Sequence, residues 1–233
     1  VRRIVGKWTA SRYAAVAVAG VTVVLAVSGC AQTRLGAAAL YGNQRVSSSK
    51  LDAEVKNLNT AYELYKGKLQ LDYSVSAMPR QVLSWMIRFA TANKVAADEG
   101  IVVTPAQAQH ELAVESANVK QSGDTLPEAA VANGLPPNML PQLGIWISIE
   151  VQLDKKLDHG VAPKTTAGSN ALAAKTNHAD CLAAKSLNIK VNPQYGAYDY
   201  SEFEVVASPL TLAAASPAPS AKATTKPQLT PKC

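Results

Sequence analysis

The chain has 233 residues, 48% of them hydrophobic, with 23 basic and 17 acidic side chains and a formal net charge of +6. Four of the basic residues (Arg2, Arg3, Lys7, Arg12) and no acidic one precede Cys30, so the remainder carries 19 against 17, or +2. A body so close to neutral has no electrostatic footprint for a phosphate backbone, and DNA and RNA are excluded as partners.

The basic start is followed by an uncharged, Ala- and Val-rich run from Tyr13 to Val27. It falls short of the roughly 20 apolar residues of a membrane-spanning helix and has the form of a secretory signal. The Arg2-Arg3 pair is followed by Val5 and Gly6, which suit twin-arginine export poorly, so general secretion is expected. Val27-Ser28-Gly29-Cys30 resembles the lipobox of bacterial lipoproteins. That resemblance implies cleavage before Cys30, a diacylglycerol thioether on its sulfur and an acyl group such as palmitate on the new amino terminus. Two or three acyl chains anchor a protein without any span, on the outer face of the cytoplasmic membrane. The alternative is an ordinary signal or an uncleaved anchor with a chance cysteine. The expected organisation is a signal over residues 1–29, a lipidated start and linker over 30–34, a helical domain over 35–207 and a disordered tail over 208–233.

Arg34 to Ser48 reads as a hairpin: apolar Leu35–Tyr41, the turn pair Gly42-Asn43, and a return through Arg45–Ser47. Ser49 stands three residues before Asp52, predicting a capped helix start there, and Leu51, Val55, Leu58, Tyr62, Tyr65 and Leu69 recur at helical spacing. Met78-Pro79 opens a second helix. Its Val82, Met86, Phe89 and Ala90 stripe is widened by Leu83, Trp85 and Ile87, as in a central helix packed on several sides. Gly100 stops it.

Thr104-Pro105-Ala106-Gln107 predicts a capping box and a helix to about Lys120. Leu126–Asn133 is a short helical piece stopped by Gly134, and Pro136-Pro137 begins a longer helix closed by His159-Gly160. Its apolar face is Leu140, Leu143, Ile147, Val151 and Leu157. Val161–Gly168 is a linker and Ser169–Ser186 an Ala-rich helix. Leu187–Val191 and Phe203–Ala207 read as strands around the turn-rich Asn192–Gly196. Ser208–Cys233 holds five of the thirteen prolines among Ala, Ser, Thr and Lys, and buries too little apolar surface to order itself. Cys181 and Cys233 are read as free or adventitiously oxidised thiols in preference to a structural bridge.

Ala38–Val46 followed by Ser49–Val55, together with Gly100–Thr104, Gly134-Leu135-Pro136 and Val191–Gly196, resembles the SurA N-terminal domain family, relatives of the trigger-factor peptide-binding domain. The resemblance implies a mainly α fold: a helical chaperone body whose first and last strands pair. Many members carry a parvulin prolyl-isomerase domain of about ninety residues before the closing strand. Here Val161–Ser186 leaves no room for it, and His110, His159 and His178 are scattered. The expectation is the chaperone part without the isomerase: not an enzyme, needing no cofactor, and holding unfolded or extended secreted polypeptides. Peptide contact would fall to large, adaptable side chains, with Tyr62, Tyr65, Trp85, Met86, Phe89 and Trp146 the candidates and core packing the plainer role for any one of them.

No phosphate loop, paired-histidine zinc motif or nucleophile elbow occurs. His178 and Cys181 share a helical spacing, but two ligands without a third make a poor metal site. Asp98-Glu99 and Asp52/Glu54 are explained by helix ends, and no acid/base pair stands out. Two rival functions stay open: a degenerate prolyl isomerase, and an interaction lipoprotein that docks one dedicated envelope partner.

Overall fold

The centre of the small sheet is an alanine strand, β1 (Ala37–Tyr41), whose Ala37, Ala38 and Ala39 are all buried. Burial on both faces leaves no room for larger side chains where helices close over the strand. The computed structural model describes residues 36–208. The signal segment, Cys30 and the tail beyond Ser208 lie outside the described residues. The fold is mainly helical, with six α-helices and five short strands among the described residues.

β1 runs antiparallel to β2 (Gln44–Ser47) across the two-residue turn Gly42-Asn43, with an irregularity between Ala37 and Ala39. Gly42 has φ 54° and Asn43 has a negative φ. Positive φ at the first central position only is the type II′ arrangement, which explains why the order is Gly-Asn and not Asn-Gly. Helix α1 (Ser48–Tyr65) follows β2 without a gap. Its N-cap is Ser47, whose hydroxyl accepts from Lys50 N at 3.1 Å; the start expected at Ser49 is therefore two residues too late. Leu51, Leu58 and Ala61 are buried, while Val55, Tyr62 and Tyr65 pack partly against the core.

α2 (Met78–Glu99) touches α1, α5, α6, β1 and β5, which accounts for the width of its apolar stripe. Gly100 ends it in the left-handed conformation. α3 (Pro105–Lys120) carries the expected Thr104/Gln107 capping box, and α4 (Leu126–Ala132) carries a second one from Thr125 and Glu128. Pro137–Met139 makes a 3-10 turn, so α5 (Leu140–Leu157) begins later than Pro136-Pro137 suggests. α3 lies unusually close to α5: a Cβ on Gly144 would stand 2.5 Å from the Ala108 carbonyl oxygen. α6 (Thr166–Ser186) starts three residues ahead of expectation, capped by Thr165.

On its other edge β1 pairs with β3 (Lys190–Val191), within the expected strand Leu187–Val191 and at the start of the segment Val191–Gly196. The first strand thus does pair with one far along the chain, and the Asn192 amide donates to the Ala37 carbonyl at 3.0 Å. β5 (Glu204–Val206), within the expected strand Phe203–Ala207, pairs with β4 (Ala197–Asp199), which no sequence signal marks, to form a separate hairpin against α2.

One large core joins the hairpin, α1, α2, α4 and α5. A second, smaller cluster of Ala92, Val95, Ile149, Leu153 and Ala183 fills the seam of α2, α5 and α6.

Candidate peptide-contact groove

Trp85 and Phe89 stand one helical turn apart on α2, so their rings project to the same side. Their centroids are 5.6 Å apart, and Trp146 of α5 meets Trp85 edge-on at 5.8 Å. Edge-to-face packing sets the positive rim of one ring against the negative face of the other. The Trp85 indole N–H donates to the Asn133 carbonyl at 2.9 Å, which fixes the ring against the end of α4. The Arg88 guanidinium carbon lies 4.7 Å from the Trp85 ring centre, a cation–π distance.

Beside these rings α2 and α5 part slightly, leaving an apolar depression lined by Phe89, Ala92, Asn93, Gln142, Ile145, Trp146 and Ile149. Its volume is about 40 Å³. Ligand pockets run to roughly 300–1,000 Å³, so the depression is a foothold for one side chain and not a chamber for a small molecule. Ile145, 39% exposed, forms its outer lip.

The six candidate residues separate. Trp85, Phe89 and Trp146 are brought together, with Trp85 and Trp146 half-buried and Phe89 forming the floor at 8% exposure. Met86 is buried in the core and is set aside as a contact residue, because its place on the helix turns it inward. Tyr62 and Tyr65 lie on α1, half-buried against the main core. Tyr62 lies near Tyr73, whose hydroxyl donates to the Val131 carbonyl at 2.9 Å. Both tyrosines are more covered than expected. Asn93, Gln142 and Ile145 were not singled out from the sequence. Ile145 falls off the main apolar face of α5, and such an exposed apolar residue is the one signal that could have drawn attention to it.

Behind the rings sits a charged interior. Arg88 faces Tyr198, Glu204, Asp180 and Glu150, and burial holds its pKa below the ordinary arginine value against the pull of these groups. Burial pushes the Asp180 carboxyl up to about 6, with Arg88 opposing and Asp154 adding to the rise. Glu204 is raised by burial, again against Arg88. Asp154 accepts from the Thr176 hydroxyl at 2.7 Å. The Ser148 hydroxyl is buried without a hydrogen-bond partner among the described residues, while burial raises the Tyr198 pKa against the opposing pull of Arg88 and the neighbouring Thr91 hydroxyl. These groups bind α2, α5, α6 and the β4–β5 hairpin into one polar seam.

Among the described residues, no three or more His, Cys, Asp or Glu side chains are grouped to hold a metal ion. Cys181 is disulfide-bonded, so of the two expected alternatives it is not a free thiol, and it is removed as a metal-ligand partner for His178. No described helix is long and apolar enough to cross a membrane. No protein-family model, curated protein or solved structure matches the chain.

Proposed function

We propose that the chain is a lipid-anchored chaperone-like protein on the outer face of the bacterial cytoplasmic membrane, of the SurA N-terminal domain type, which holds extended segments of exported polypeptides. The lipobox residues Val27–Cys30 support the location. The observation that carries the activity is the Trp85–Phe89–Trp146 cluster with its open lip at Ile145, on a helical body closed by β1 and β3. Aromatic faces accept many apolar side chains, and Gln142 and Asn93 at the rim offer amides to a passing backbone. No ATP and no covalent step is involved.

A second reading, docking of one dedicated envelope partner, is favoured by the small volume of the depression. Binding of the mature chain to an array of unstructured peptides separates the two. Broad micromolar binding to aromatic-rich peptides, with delayed aggregation of an unfolded client, supports a holder. Silence on the whole array, with one stoichiometric crosslinked partner in the envelope, supports dedicated docking and sinks the first reading.

A further inference from the structure

We infer that Arg88 is a positioning residue for the peptide groove: buried carboxylates hold the rim of its guanidinium while its face steadies the Trp85 ring against Phe89 and Trp146. The inference rests on the groove reading above. Arg88 follows Trp85 by three residues on α2, so the two side chains are neighbours on one helix face. The guanidinium carbon lies 4.7 Å from the Trp85 ring centre. Trp85 does not itself line the depression. It backs two residues that do, Phe89 at 5.6 Å and Trp146 at 5.8 Å between ring centres.

The groups that hold the cation in place come from four other elements. Glu150 of α5, Asp180 of α6, Tyr198 of β4 and Glu204 of β5 all face Arg88. A guanidinium is flat, with five N–H donors around its rim and none on its faces. Rim and face can therefore act together, with carboxylates taking the donors in the plane and an aromatic ring taking the face. A lysine ammonium is a compact point charge with no plane to stack, so it could satisfy the acids without holding the ring.

The Trp85 indole N–H is already bonded to the Asn133 carbonyl at 2.9 Å. One hydrogen bond at one edge leaves the ring free to turn about it, and the stacked guanidinium removes that freedom. Without the stack, Phe89 and Trp146 lose the fixed surface behind them, and the foothold beside Ile145 loses its shape.

The test follows the Trp85 indole N–H signal in nitrogen–proton correlation spectra of the full chain, assigned by its loss in Trp85→Phe. Beside it, fluorescence anisotropy reads the binding of a labelled aromatic-rich peptide. Arg88→Lys keeps the charge that faces the carboxylates. It should move the Trp85 signal and weaken peptide binding by about three- to tenfold. Val46→Ala is the control: it removes buried methyls from β2, which packs on β1 and α1, and should lower stability while leaving both readouts in place. Should Arg88→Lys fail to fold, Asp180→Asn removes one of the charges facing the guanidinium and should by itself move the Trp85 signal. A Trp85 signal that stays in place in both variants overturns the inference. So does a moved signal with unchanged affinity, or an equal loss of affinity in Val46→Ala. A wild-type chain that binds no peptide sinks the groove reading and this role with it, and is told apart because it shows before any residue is changed.

Discussion

The Ser84 hydroxyl accepts a hydrogen bond from Val205 N at 2.8 Å, joining the central helix to the last strand across 121 positions of sequence. The same oxygen donates to the Arg80 carbonyl, one turn back, at 2.8 Å. One buried serine thus uses its proton within α2 and a lone pair to seat the β4–β5 hairpin. Removing the hydroxyl leaves a buried amide unpaired, which costs about 1–3 kcal/mol. Ser84→Ala should lower stability by that amount in chemical denaturation and speed hydrogen exchange at Val205 ahead of the remaining sheet.

Gly144→Ala should destabilise by about 1–3 kcal/mol although alanine is the better helix former, because the new methyl meets a backbone oxygen at 2.5 Å and α3 must shift. Gly67 provides the contrast. Nothing stands within 4 Å of a Cβ there and its φ is not positive, so Gly67→Ala should be neutral or gain about 0.4–1 kcal/mol. Equal losses from the two variants in urea titrations would refute the close approach of α3 and α5.

Asp180 gives a pH dependence of known sign. Its folded pKa, about 6, stands above the ordinary 3.8, so the native state holds a proton that the unfolded chain has released. Stability from this group is complete below pH 4 and falls as pH rises through 6. Asp180→Asn should raise stability near neutral pH by roughly 1–3 kcal/mol and flatten the profile between pH 4 and 6. A variant whose melting profile keeps the wild-type slope in that range would show that another group titrates.

At the groove, Ile145→Asp should weaken peptide binding about tenfold or more while leaving the melting temperature nearly unchanged, because the side chain is already 39% exposed. Trp146→Ala should weaken binding too but also cost stability, since its ring packs on Trp85. Tyr62→Ala, on α1, should lower stability more than it lowers affinity. Fluorescence anisotropy of a labelled aromatic-rich peptide, read beside thermal melts, checks all three.

Much of this architecture is written locally. The Thr104/Gln107 box, the Met78-Pro79 start and the Gly100 stop act within a turn of chain, and each lies where the sequence places it. The first helix shows how local signals compete. Ser47 and Ser49 are both good caps, and Asp52 favours the later one, but Ser47 already has the extended conformation of β2 and takes the role. What local signals cannot carry is partnership. Ala197–Asp199 pairs with Glu204–Val206 in a hairpin that is seated on α2 through Ser84, far away in sequence, and Lys190–Val191 reaches β1 across about 150 positions. The ring cluster is half legible: Trp85 and Phe89 share a helix face in the sequence, while Trp146 joins them only through packing.

Holding β1 between β2 and β3 has a consequence in time. The first hairpin can form as soon as Ser47 is made, but the other edge of β1 has no partner until Val191 and Asn192 have followed. Closing so distant a pair is slow, and an open strand edge is a template for other chains. In a chain that emerges amino terminus first, that edge stays uncovered until residues 48–190 have followed. For that interval the nascent protein is itself a polypeptide in need of a holder.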